Sequence, residues 1–159
     1  MLHERLRILM AVLMMSVAAR PSFAADKRLC DPLKSFVHSV HAGETRKIAF
    51  NAIWGSSFKT SDQTGFSLGE KACAHDGYEP AKPFCAALIQ LGSMEFPGGN
   101  AEEVVECLTG GARKRGVFLA KIDATITVGN DDKGQEVHLV LGDDPVRGGS
   151  VMTISVDGY

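Results

Sequence analysis

The chain is expected to fold as a two-layer α+β domain stapled by disulfides. Three observations point there. The last third alternates apolar and polar residues in three runs, as strands covered on one face do. The start and middle instead repeat apolar residues at helical spacing. Four cysteines follow what reads as an export signal, an even number in a chain bound for an oxidising compartment. The expected sheet has about four mainly antiparallel strands, a C-terminal three-strand meander plus one N-terminal strand, with a short helical layer on one face.

Residues 1–24 read as a cleaved signal peptide. Arg5 and Arg7 supply the positive start, residues 8–19 the apolar run, and Ser22 and Ala24 the small residues at −3 and −1, so cleavage is expected after Ala24. The apolar run is about 12 residues, short of the roughly 20 that a spanning helix needs, so no transmembrane anchor is expected. Lys27 and Arg28 keep Cys30 away from that run, which argues against a lipid-anchored cysteine. Removing 24 of 159 residues leaves 135, residues 25–159, the size of a single domain with its own core. Glu4, Arg5, Arg7 and Arg20 leave with the signal; 14 basic and 18 acidic residues remain, a formal charge of −4. Such a chain has no basic patch for nucleic acid and no polybasic run for anionic membrane. The style of the signal is bacterial, which points to the periplasm or the exterior.

Asp31 and Pro32 read as an N-cap and first helical residue, and Leu33, Phe36, Val37 and Val40 follow at i, i+3, i+4 and i+7, closed by Gly43. His38 and His41 fall on the solvated side, and no third ligand follows them closely enough to suggest a metal. Residues 46–54 alternate as a strand, with Ile48, Phe50, Ala52 and Trp54 on the buried side. Trp54, the single tryptophan, is expected to anchor the core. A Ser- and Thr-rich loop over residues 55–65 carries Phe58 and Lys59, candidate partner contacts because loops host function more often than core elements. Ser67 and Glu70 then read as the capping box of a short helix carrying Cys73, closed by a turn at His75, Asp76 and Gly77.

Pro80 and Pro83 open a helix whose apolar face is Phe84, Cys85, Leu88, Ile89 and Leu91. Gly92 and residues 96–99 break it. Asn100 reads as the N-cap of the next helix, with Glu103 completing a capping box, Ala101, Val104, Val105 and Leu108 on its apolar face, and Gly110 and Gly111 at its end. Two short helices joined by a tight turn are expected to lie antiparallel. Folded about Phe96, Cys85 and Cys107 each stand eleven residues from the bend. Of three pairings this favours Cys85–Cys107 and, by elimination, Cys30–Cys73. The cysteines and His75 lack paired C-x-x-C spacing, so no zinc is expected. Residues 113–115 are a short basic linker that also suits a helix C-terminus.

The meander follows. Phe118, Ala120, Ile122, Ala124, Ile126 and Val128 form the apolar side of its first strand, Val137, Leu139 and Leu141 of its second, and Met152, Ile154 and Val156 of its third. Turns at residues 130–134 and 142–149 are acidic but lack the spacing of a calcium loop. His138 falls on the polar face, opposite Asp123 or Thr125, and is the third candidate partner contact.

No nucleophile elbow, zinc-protease motif, P-loop or dinucleotide fingerprint is present. The favoured reading is a protein-binding, inhibitor- or immunity-like module of the bacterial envelope, its partner another envelope or secreted protein. Two alternatives stand beside it. A small hydrolase-like enzyme would need two of His75, His138, Glu70 and Asp123 to converge. A small-ligand or metal carrier would need a cavity or converging histidines. No cofactor and no catalytic residue is singled out.

Overall fold

In the computed structural model, residues 26–55, 69–111, 119–130 and 133–159 are described. Helix α1 (Lys27–His38) leads into strand β1 (Thr45–Trp54). After β2 (Gly69–Ala74), a single 3-10 turn (Glu79–Ala81) opens α2 (Lys82–Leu91), and α3 (Pro97–Thr109) follows. Strands β3 (Ile122–Gly129), β4 (Gly134–Asp143) and β5 (Ser150–Gly158) complete the chain. The strands form one antiparallel sheet in the order β2-β1-β5-β4-β3. The α+β class and the C-terminal meander are as expected, with five strands in place of four, but β3 starts only at Ile122: Ala120 precedes it, and Phe118 lies outside the described residues.

The fifth strand is β2, where a helix was expected around Cys73. Residues 69–74 pair along β1 from Trp54–Gly69 to Ala49–Ala74. Glu70, expected in a capping box, lies instead in a strand that pairs along an available edge, as tertiary pairing overrides weak local preference; Ser67 lies outside the described residues. Lys71 and Cys73 share the face of Phe50 and Ala52, and Lys71 Nζ donates to the Gly92 carbonyl, 3.1 Å away, at the end of α2.

Helix α1 begins earlier than Asp31. Asp26 is its N-cap, accepting from the Arg28 amide at 2.9 Å, and Pro32 lies inside the helix. Proline there forfeits one intrahelical hydrogen bond. Leu29, Cys30, Leu33, Phe36 and Val37 offset that by burial against the rest of the core. Asn100 is likewise no N-cap: α3 starts at Pro97, and Gly98 packs so closely on the Leu119 backbone that a Cβ would lie 1.9 Å from its carbonyl oxygen. The buried Asn100 amide turns back instead, accepting from the Ser93 N–H at 2.7 Å and donating to the Ser93 carbonyl at 2.8 Å. Gly110 closes α3 at φ 67°, the left-handed position glycine suits.

The disulfides are Cys30–Cys107 and Cys73–Cys85, not the expected Cys85–Cys107 and Cys30–Cys73. The expectation assumed that α2 and α3 pack on each other. They barely touch, because α1 lies against both. Cys30 of α1 therefore meets Cys107 of α3, and Cys85 of α2 meets Cys73 of β2. With both bonds closed, the folded chain belongs to an oxidising compartment. Among the described residues no helix is long and apolar enough to cross a membrane. Residues 1–24 lie outside the described residues, as do 113–115.

All three helices cover one face of the sheet. Beneath them Ile48, Phe50, Val137, Leu139, Met152, Ile154 and Val156 are buried together with Phe36, Phe84 and Leu88. Phe36 stacks on Phe84 and meets Tyr78 edge-on, with ring centroids 6.4 and 6.1 Å apart. Tyr78 is tied by its hydroxyl to the Ser39 carbonyl at 2.8 Å, and the Arg46 guanidinium covers its ring. Trp54 is not part of this core. It is the last residue of β1 and remains 41% exposed.

Candidate functional site

Among the described residues, no helix lies on the other face of the sheet. Its side chains follow from the registers. One row reads Thr125, His138, Ser155 and Lys47, from β3 across β4 and β5 to β1. The next reads Thr127, Glu136, Asp157 and Thr45. On the other side runs a more apolar row of Asp123, Val140, Thr153, Ala49 and Ala74. Alternation along each strand puts these residues opposite the core, and each row exists only because four or five strands come into register.

His138 is the centre of the polar rows. Its Nδ1 lies 3.0 Å from Thr125 Oγ1, and its Nε2 lies 2.9 Å from Glu136 Oε1 and 3.7 Å from Asp157 Oδ2. With the proton on Nε2 the ring donates to Glu136 and accepts the Thr125 hydroxyl at Nδ1. Asp157 in turn accepts from the Thr45 hydroxyl. The imidazole is therefore held by neighbours on three strands while its side chain stays 41% exposed. Chemically this is a preordered set of acceptors around one ring, suited to meeting a cationic group. Val140, 42% exposed, adds a large apolar contact one row away.

One end of this face is shaped by the β4–β5 turn. Asp144 Oδ1 accepts the Val146 and Arg147 amides at 2.9 and 3.0 Å, and Asn51 Nδ2 of β1 donates to Oδ2 at 2.5 Å. The Arg147 amide, then the Val146 amide, hold the Asp144 carboxyl below the usual carboxylate range. Gly149, at φ 71°, comes down so close that a Cβ would sit 2.7 Å from the Ala52 carbonyl oxygen.

Of the expected contact residues, His138 is on the open face, and Thr125 rather than Asp123 is the residue across from it. Phe58 and Lys59 lie outside the described residues. The four acid–base candidates do not come together. Glu70 is on β2, His75 follows that strand, and Asp123 stands opposite Val140, one row away from His138. Among the described residues no group of three or more His, Cys, Asp or Glu is arranged to hold a metal ion. Glu136 and Asp157 were missed in the sequence. The i, i+2 spacing of Glu136 and His138 on a strand was the available signal for the first. Asp157 carries no local signal, because only the β4–β5 register brings it to His138.

No family model, no curated protein and no solved structure matches this chain.

Proposed function

We propose that this is an exported protein-binding module, of the inhibitor or immunity kind, which docks a basic surface of another envelope or secreted protein on the open face of its sheet. One observation carries the reading: among the described residues all three helices pack on the same side, and the other side presents Glu136 and Asp157 at His138, with Asp123 and Val140 one row away. Lys47 is the single lysine in those rows, so the face is acidic on balance. An exposed apolar side chain ringed by ordered polar groups is the composition of a docking patch rather than of plain solvated sheet.

The test compares captured partners. Wild type, the double variant Glu136→Ala/Asp157→Asn, His138→Ala, and Lys34→Ala on the helical side are immobilised as equal amounts of folded protein. A periplasmic and culture-fluid extract is passed over each. The expected result is one stoichiometric, basic partner held by wild type and Lys34→Ala and lost by the two open-face variants. A partner that all four retain sinks the reading.

A further inference from the structure

The sheet has two edges, and they are finished differently. At one edge β2 is six residues long, carries Glu70 and Lys71 in sequence, and is bound to α2 by Cys73–Cys85. At the other, β3 runs eight residues with Asp123 as its only charge, no proline and no lysine. Charges, proline and short length are the usual devices that keep a strand edge from pairing, and β3 has few of them.

Helix α3 packs on β3, but the helical layer covers that strand less completely than β4. On the covered face, Val137, Leu139 and Leu141 of β4 are 0–3% exposed. Their β3 neighbours Ile122, Ala124, Ile126 and Val128 are only half-buried. Among the described residues no strand lies beyond them.

The hairpin shows which backbone groups face outward. The Asn130 amide donates to the Lys133 carbonyl at 3.1 Å, directly continuing the Gly129–Gly134 register. In an antiparallel ladder, bonded and non-bonded pairs alternate. Ile122, Ala124, Ile126 and Val128 therefore turn their N–H and C=O groups to β4, and Asp123, Thr125 and Thr127 turn theirs to the free edge.

We propose that β3 is a dimerisation edge, along which a second copy of this chain adds in antiparallel register with Thr125 facing Thr125 on the two-fold axis. That register keeps the whole strand in the ladder. On the covered face, Ile122 meets Val128 of the other copy and Ala124 meets Ile126, so the half-buried apolar groups cover one another. On the open face, each Asp123 meets a Thr127 hydroxyl. An axis through Asp123 would instead set two carboxylates face to face. The product is one continuous ten-strand sheet with all helices on one side and a doubled open face, and it does not depend on what that face binds.

The register makes the charge response directional. Thr127 is exposed, so it accepts a charged side chain without repacking the core. Thr127→Asp places a second carboxylate opposite Asp123, and symmetry makes the clash occur twice. Thr127→Lys places an ammonium there, also twice. Full-length chain is expressed with its own N-terminal segment, purified from the periplasmic fraction with its disulfides closed, and followed by sedimentation equilibrium. Far-UV circular dichroism confirms that each variant is folded. Wild type should form a dimer. Thr127→Asp should raise its dissociation constant about tenfold, Thr127→Lys should lower it, and Asp123→Lys/Thr127→Asp should return it towards wild type. Wild type that stays monomeric at about 1 mM overturns the proposal. So does a dimer whose dissociation constant ignores these charges, or one that both single variants shift in the same direction.

Discussion

Cys30 on α1 is bonded to Cys107 on α3, with Cα atoms 5.0 Å apart across 77 residues of sequence. That bond spans β1, β2, α2 and the connections between them. The second, Cys73–Cys85, closes only a 12-residue separation. In the loop-entropy account the long closure is worth about 4.5 kcal/mol and the short one about 3 kcal/mol. Cys30→Ala/Cys107→Ala should therefore lower the urea midpoint more than Cys73→Ala/Cys85→Ala. Paired equilibrium unfolding curves decide it, and the reverse order would show that the short bond's link between the edge strand and α2 outweighs loop length.

His138 should be nearly silent in stability. Its contacts with Glu136 and Asp157 join partly exposed groups, and such pairs contribute about 0–1 kcal/mol. Thermal unfolding of His138→Ala should stay close to wild type while capture of the partner falls away. A large loss of stability would instead assign the Thr125–His138–Glu136 chain to holding the sheet together.

Asp144 gives acid sensitivity of a definite sign. Its folded carboxyl is held below the ordinary value of 3.8 by the Arg147 and Val146 amides. The stability it contributes is present in full well above that value, where both folded and unfolded forms are ionised. It is lost as pH falls below 3.8 and through the lower folded value. Wild type should be more stable than Asp144→Ala at pH 6, and the gap should close on acidification. A gap that is independent of pH down to about 2.5 would remove the carboxylate's charge from the explanation.

Gly98 and Gly142 make a matched pair of alanine substitutions. A Cβ on Gly98 meets the Leu119 carbonyl oxygen at 1.9 Å, a backbone atom that yields only if α3 or the start of β3 moves. A Cβ on Gly142 meets nothing within 4 Å. Gly98→Ala should cost about 1–3 kcal/mol, and Gly142→Ala should stay within about 0.5 kcal/mol of wild type, read as shifts in denaturant midpoint at constant slope.

The meander was legible because its strands largely alternate, Val140 and Val151 excepted, with the acidic and glycine turns falling between them. The helix faces of α1, α2 and α3 were legible from apolar spacing, though the starts of α1 and α3 were not. Asp31 and Asn100 look like caps, and each sits inside a helix that begins three or more residues earlier. Strand β2 was invisible because six residues with mixed local preference become a strand only when β1 offers them an edge. Of the open face, His138 could be named in advance and Asp157 could not.

The amino-acid sequence by itself determined the α+β class, the meander, most of the apolar core faces and the even set of cysteines. These are local properties, written in periods of two and of about three and a half residues. The tertiary structure decided the cysteine pairing, the fifth strand, the exposure of Trp54 and the gathering of Glu136 and Asp157 around His138. Each of these depends on which distant segments become neighbours. That choice was settled when α1 packed against both α2 and α3, and when β1 and β4 took opposite sides of β5, relationships that no local period records.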